Sequence, residues 1–229
     1  MIRKKRAVIT LLAVLLILCV TAGVTFAYLG GVTKAQQNMF TPADNIRARL
    51  IEPNWNEKEG LKLVPGKTIP KDPMITNTGQ TDEYVAIRLT FLDKDDVPLP
   101  DSKLLQLLNL LDMAWSDKWH LCDTDTLVVN GSGEITAVSQ PLVFYYEDIL
   151  LPGKVTDAIF SSIRVHDESD GLTETQWRWL QGIVIEDGEI VSDPDGIGGL
   201  SIKVEGAAVQ SVGFADAVSA ADTLQTLFP

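Results

Sequence analysis

Residues 84–92, with the sequence YVAIRLTFL, decide the fold class of this 229-residue chain. β-Branched and aromatic residues dominate the stretch, and both types favour extended backbone. Because successive side chains of a strand point to opposite faces, one face carries only apolar groups: Val85, Ile87, Leu89 and Phe91. The stretch therefore predicts a strand with one side packed into a hydrophobic core.

Other strand and turn sequences surround this stretch on both sides. Pro65-Gly66 and Asn77-Thr78-Gly79 are turn sequences, and the Leu-Val-Pro-Gly-Lys motif at 63–67 recurs as Leu-Leu-Pro-Gly-Lys at 150–154. Pro70 and Pro73 lie around the start of residues 71–76, which predicts an edge strand there. Further strands are predicted at 46–50, 120–129, 135–139, 142–146, 158–165 and 201–212. Closely spaced strands separated by turns predict an all-β fold, a two-sheet β-sandwich of jelly-roll or Ig-like topology.

Short helices are predicted to be inserted in, and to follow, the strands. Residues 103–119 carry leucines at helical spacing, and Asp101 or Ser102 is placed to cap this helical insertion. Residues 214–228 predict a C-terminal amphipathic helix, with Val218, Ala221 and Leu224 on one side. Residues 173–185 leave two alternatives open, a short helix or a loop before a strand.

The first 27 residues have the pattern of a signal peptide. A basic cluster at residues 3–6 precedes an apolar core at residues 7–20, and the small residues Thr25 and Ala27 suit a signal peptidase. We therefore expect cleavage between Ala27 and Tyr28, with an uncleaved membrane anchor as the alternative. The remaining chain divides into an N-terminal segment, residues 28–40, and a β-sandwich domain, residues 41–229.

The charge of the chain predicts a secreted protein rather than one that binds nucleic acid or anionic lipid. The net charge is −12, and removing the four basic residues of the signal peptide leaves −16. Contact with a membrane is expected only before processing. Cys122 is the single cysteine after Cys19 has left with the signal peptide, so an intramolecular disulfide is not expected.

Four stretches together resemble the TasA/camelysin family of secreted matrix proteins of Gram-positive bacteria, in particular its clostridial branch. They are VTFAYL at 24–29, NMFTPADNIRARLIE at 38–52, LVPGKTIPKDPMITNTGQTDEYVAIRL at 63–89 and VEGAAVQSVGFADAVSA at 204–220. The resemblance implies processing by a dedicated, SipW-like signal peptidase. It also implies a structural subunit of an extracellular matrix or surface fibre built around a jelly-roll domain.

The resemblance further implies that the segment freed by processing pairs with the sheet of the next subunit. Here that segment is residues 28–38, which span about 36 Å when extended. Assembly would then be mediated by Tyr28, Leu29, Val32 and Thr33. The expected partners are other copies of the chain, with other matrix proteins or polysaccharide as further candidates. The alternative is a flexible N-terminal tail.

The camelysin resemblance also implies a metal-dependent surface peptidase as an alternative function. The two histidines, His120 and His166, do not lie in the His-Glu-x-x-His motif of such enzymes, so no catalytic residue is assigned. Asp193 and Asp195 resemble the start of a calcium loop, but the twelve-residue pattern is incomplete. No cofactor is therefore predicted, with loosely bound calcium as the alternative. Trp177 and Trp179 would form a sugar-binding platform if their segment were extended.

Overall fold

A computed structural model describes residues 46–56 and 64–228. The predicted signal peptide with Ala27, and the segment 28–40 with Tyr28, Leu29, Val32 and Thr33, lie outside the described residues. Within them, antiparallel strands dominate and short helices are interspersed, which confirms the predicted all-β sandwich. No helix in the described ranges is long and apolar enough to cross a membrane.

The strands and helices are numbered in chain order. The strands are β1 (Ala48–Ile51), β2 (Thr68–Pro70), β3 (Met74–Asn77), β4 (Glu83–Leu92), β5 (Leu111–Trp115), β6 (Trp119–Leu121), β7 (Leu127–Val129), β8 (Ile135–Val138), β9 (Leu142–Tyr146), β10 (Phe160–Val165), β11 (Ile183–Glu186), β12 (Glu189–Ser192) and β13 (Ser201–Gln210). The helices are α1 (Asp101–Leu108), α2 (Glu174–Gln181) and α3 (Ala217–Thr226).

Two sheets form the sandwich. One has four strands in the order β13-β4-β9-β6, and the other has three in the order β2-β10-β5. The other six strands of the described residues form three two-stranded pairs: β1-β3, β7-β8 and β11-β12. Both sheets contribute to one hydrophobic core, in which Leu89 of β4 and Phe160 of β10 are fully buried.

Strand β4 is buried on both of its faces. Val85, Ile87, Leu89 and Phe91 point into the core between the sheets, as the alternation predicts. Tyr84 and Ala86 point the other way and pack with helix α3 in a second apolar cluster. Helix α3 buries Ala217, Ala220, Ala221 and Leu224 there, whereas Val218 is 65% exposed, so its predicted place on the buried side was wrong.

Helix α1 is much shorter than the predicted 103–119 helix. It ends at Leu108, and the side chain of Asn109 then bonds both to the Leu105 carbonyl and, in both directions, to the backbone of Ile135. The predicted caps were also wrong, because Pro100 occupies the cap position and no side chain caps the helix. Beyond Asn109 the chain forms strand β5, because Leu111, Asp112 and Met113 pair with β10.

Of the predicted edge strand at 71–76, only residues 74–76 are strand, within β3, and a separate strand, β2, precedes the predicted range. Strand β2 ends at Pro70 on an edge of the three-stranded sheet, and β3 pairs with β1 instead. Between them, Lys71 and Asp72 are buried, where Lys71 forms an ion pair with Glu52 at 3.0 Å.

The ambiguous segment 173–185 contains helix α2, whose cap is Thr173, followed by β11.

Candidate functional site: the open edges of strands β5 and β6

The two sheets of the sandwich end side by side at strands β5 and β6. Strand β5 is an edge of the three-stranded sheet and β6 an edge of the four-stranded sheet. The two are consecutive in the chain and are joined by residues 116–118. The same side of the sandwich therefore presents two adjacent edges that belong to different sheets.

The hydrogen-bond pattern fixes which backbone groups of β5 face outward. His166 donates its N–H to the Leu110 carbonyl at 3.0 Å, and Arg164 lies opposite Asp112. Because bonded and non-bonded pairs alternate in an antiparallel ladder, Leu111 and Met113 direct their N–H and C=O groups away from β10. Among residues 46–56 and 64–228 these groups have no backbone partner, so within that part of the chain they form an open edge that another strand can satisfy.

The same reasoning applies to β6. Glu147 donates its N–H to the Lys118 carbonyl at 3.0 Å, and Cys122 donates to the Val143 carbonyl at 2.8 Å. His120 is thus bonded to β9, and its neighbours Trp119 and Leu121 direct their backbone groups outward. Strand β6 is short, so β5 offers the longer of the two edges.

The opposite edge of the three-stranded sheet is strand β2, which ends in Pro70. Lys71 donates its N–H to the Ser161 carbonyl, which places the backbone of Thr68 and Pro70 on the outward side of β2. Pro70 has no N–H to offer an additional strand, and a proline of this kind blunts an edge. Strand β5 contains no proline, so it is the more receptive edge of this sheet.

An apolar groove of about 500 Å³ lies beside the β5 and β6 edges. Its lining includes Trp115, Trp119 and Phe144, together with Leu111 and Met113. Trp115 is 41% exposed although its ring stacks on Phe144 and meets Phe160 edge-on, each with centroids 5.4 Å apart. An exposed aromatic ring held by two others provides a rigid apolar contact surface.

The β7-β8 hairpin borders the groove on its remaining side. Leu127, Val129 and Ile135 contribute to the lining. Asn109 fixes the hairpin, since its side-chain oxygen accepts from the Ile135 N–H at 3.0 Å and its amide donates to the Ile135 carbonyl at 2.9 Å. Asn109, the C-cap residue of α1, therefore ties this hairpin to the end of the helix.

One end of the groove carries polar groups. His166 and Asp112 both line it, and His166 Nε2 lies 3.1 Å from Asp112 Oδ1 while Arg164 pairs with the other oxygen. Partial burial acts to raise the pKa of Asp112, but the hydrogen bonds from Arg164 and His166 outweigh it and hold that pKa below its usual value. Asp112 therefore stays ionised at neutral pH.

The two histidines are not brought together. His166 pairs with Asp112, whereas His120 Nε2 lies 3.0 Å from Glu147 Oε2 on the other sheet. Lys118 also bonds Glu147, and this bond, followed by that of His120, lowers the pKa of the Glu147 carboxyl. The other weak metal candidates, Asp193 and Asp195, form a turn in which Asp193 Oδ1 accepts the Asp195 N–H at 2.8 Å. Across residues 46–56 and 64–228, no group of three or more His, Cys, Asp or Glu side chains is placed to hold a metal.

The remaining candidates from the sequence are Trp177, Trp179 and Cys122. Trp177 and Trp179 lie on helix α2 rather than on an extended segment, and the Trp179 indole donates to the Asp195 carbonyl at 2.9 Å. The condition for a sugar-binding platform, an extended segment, is therefore not met, and both rings pack against the hydrophobic core. Cys122 is half-buried, and burial raises the pKa of its thiol to about 12. Such a thiol is protonated at neutral pH and is a poor nucleophile.

The strand that follows the N-terminal segment lies at the other end of the four-stranded sheet. Strand β1 contacts β13, which is the edge opposite β6. With three strand-to-strand spacings of about 4.8 Å between β13 and β6, the two edges are about 14 Å apart or more. Strand β1 thus lies beside the edge of the four-stranded sheet that is opposite β6.

Comparison with known proteins adds no family assignment. No family model matches the sequence, and no curated protein matches it. The site is therefore defined by its own geometry.

The sequence pattern did not predict strand β5, because the leucines at 104–111 fit one long helix. The signal for a strand was present in the alternation of Leu111, Met113 and Trp115 with Asp112 and Ala114.

Proposed function

We propose that this protein is a secreted structural subunit of an extracellular matrix or surface fibre. Removal of residues 1–27 frees residues 28–38, which pair with the open edge of β5 in a second copy. The observation that carries the proposal is the apolar groove beside the neighbouring edges of β5 and β6, together with the contact of β1 with β13 at the other edge of the four-stranded sheet.

The geometry favours a chain of subunits over a closed pair. Each copy would donate a strand from the β1 end and accept one at the β5 end, which is a heterologous, head-to-tail contact. Such contacts propagate as filaments unless the rotation between subunits closes a ring. Backbone hydrogen bonds to Leu111 and Met113 would supply affinity, and apolar donor side chains beside Trp115 would supply specificity.

Deletion of the donor segment tests the proposal. The mature chain, residues 28–229, is compared with residues 39–229 by analytical ultracentrifugation and electron microscopy. We expect filaments from the first and monomers from the second. If the shorter chain polymerises as well as the mature chain, strand donation by residues 28–38 is wrong.

A synthetic peptide with the sequence of residues 28–38 provides the matched binding test. Added to the shortened chain, it should bind saturably, and a peptide with the same composition in scrambled order should not. Equal binding of both peptides would contradict recognition of the donor segment.

The metal-dependent peptidase of camelysin type stays an untested alternative. Cleavage of casein by the purified mature protein, measured with and without a chelator, tests it. Chelator-sensitive cleavage that is lost on replacing His120 or His166 by alanine would support the peptidase.

A further inference from the structure

Glu83, the first residue of β4, is a fully buried carboxylate at the point where the N-terminal chain enters the domain. Its exposed fraction is 0%. Its Oε1 accepts the N–H of Arg47 at 2.8 Å, just before β1 begins. Its Oε2 is buried and has no hydrogen-bond partner in the part of the chain that the structure describes.

The same short piece of backbone is held from its other side. Thr78 donates to the Arg47 carbonyl through its backbone N–H at 2.7 Å and its hydroxyl at 3.0 Å. Glu83 itself exchanges backbone hydrogen bonds with Leu150 at 2.8 and 3.1 Å, and its neighbour Asn77 is also fully buried. The rigid frame around Glu83 therefore leaves its carboxylate little freedom to turn toward water.

Charged neighbours do not compensate the carboxylate. The elements packed around it carry these charged residues: Arg47 and Arg49 next to and on β1, Asp82 before β4 and Arg88 on it, Glu147, Asp148, Lys154 and Asp157 in the loop after β9, and Lys203 and Glu205 on β13. Arg47, Arg49, Asp82, Asp148 and Lys154 are all exposed. Burial raises the pKa of the Glu83 carboxyl, and the Arg47 N–H opposes this only in part. An ionised carboxylate with one hydrogen bond is costly in such a site, whereas a neutral carboxyl is tolerated.

We propose that Glu83 is a proton-controlled anchor for β1, which holds this strand most tightly when its carboxyl is neutral and less tightly once it ionises. When β1 detaches, Glu83 meets water and ionises with an ordinary pKa. Docking of β1 is therefore coupled to proton uptake. The stabilisation is fully present below the ordinary value of about 4.3, declines as the pH rises, and is lost above the raised pKa of the docked state.

The anchor belongs to the single subunit and does not depend on strand donation. In a fibre, however, β1 would connect the domain to its donated strand. The joint would then be firmest in acid and would loosen as the pH rises. Glu83→Gln keeps an acceptor for the Arg47 N–H but cannot ionise, so it should remove the pH dependence.

Hydrogen exchange measured by mass spectrometry on the mature chain tests the anchor. Peptides that cover residues 46–51 are followed from about pH 4 to about pH 8, with correction for intrinsic exchange rates. We expect protection in the wild type to fall by up to about tenfold per pH unit within the window and then to level off. Glu83→Gln should show a flat profile, and Asp82→Asn, which removes an exposed carboxylate one residue away, should behave as wild type.

Two results would overturn the anchor. One is protection of β1 from hydrogen exchange in the wild type that does not change with pH. This result contradicts the anchor even if Glu83→Gln fails to fold. The other is a Glu83→Gln profile that keeps the wild-type pH dependence.

Discussion

The ring of Trp115 on β5 stacks on the ring of Phe144 on β9, with centroids 5.4 Å apart and planes inclined by 26°. Trp115 lies on an edge strand of one sheet, and Phe144 lies on β9, next to the edge strand β6 of the other sheet. The stack therefore joins the two sheets beside their neighbouring edges. Trp115 nevertheless stays 41% exposed toward the groove. A large, rigid aromatic surface at an open edge is typical of residues that dominate binding energy in interfaces.

Replacing Trp115 should therefore weaken assembly more than folding. We expect Trp115→Ala to raise the critical concentration for filament formation by about tenfold to a hundredfold, as for an aromatic residue that contributes roughly 1.4–3 kcal/mol. Light scattering against protein concentration measures this value. Trp55→Ala is the control, because Trp55 is also exposed but lies over Lys71 and does not line the groove. Equal effects of the two variants would contradict a role for the groove.

Proline at Met113 should block the β5 edge without breaking the sheet. The Met113 N–H points away from β10, so its loss removes no hydrogen bond among the residues that the structure describes but removes one donor for an incoming strand. We expect Met113→Pro to abolish polymerisation while its far-ultraviolet circular dichroism stays that of wild type. Thr68→Pro, at the outward side of β2, should polymerise normally. A block by Thr68→Pro but not by Met113→Pro would place the accepting edge at β2 instead.

Salt should promote assembly. Residues 41–229 carry a net charge of −17, because residues 1–40 contain five basic residues and no acid. Neighbouring domains therefore repel one another, and screening shortens the range of this repulsion to about 8 Å at physiological ionic strength. We expect filament growth to accelerate between about 0.02 and 0.5 M sodium chloride. A slower rate at high salt would show that attraction between charges drives the contact.

Asn77 is the side chain that we expect to matter most for stability among the buried polar groups. It is fully buried, donates to the carbonyls of Thr81 and Leu150 at 2.8 Å each, and accepts the Gly79 N–H at 2.8 Å. Asn77→Ala should lower the free energy of unfolding by about 2–4 kcal/mol, because it removes three hydrogen bonds made by a fully buried side chain. Asn130→Ala, in the exposed β7-β8 turn, should cost less than about 1 kcal/mol in the same urea titration.

Much of the fold could be predicted because strong local patterns coincide with buried positions. Residues 84–92 form a strand because apolar alternation and β propensity agree, and the segment 142–146 follows the same rule. The reverse face of β4 was not predicted, because Tyr84 and Ala86 meet helix α3 only through contacts remote in sequence. Sequence pattern alone does not report such partners.

The candidate site was largely hidden from the sequence for a related reason. Leucines at 104, 107, 108 and 111 fit one helical face, but Asn109 diverts its side chain to Ile135 and the chain continues as β5. Which strand lies at an edge depends on sheet order, which is a property of the whole topology. The turn predicted at residues 77–79 begins at the end of β3. Asn77 is the last residue of that strand, and its side-chain oxygen accepts the Gly79 N–H.

The central claim is that residues 28–38 of one copy lie beside β5 of another, and disulfide trapping measures this contact directly. In a Cys122→Ser background, one protein carries Val32→Cys or Thr33→Cys, which face opposite sides of an extended strand, and a second carries Met113→Cys. After mild oxidation of the mixture, we expect a covalent heterodimer with Met113→Cys from at least one donor variant, and none when Thr68→Cys replaces it. Failure of both donor variants to cross-link with Met113→Cys above the Thr68→Cys level would contradict strand donation to β5.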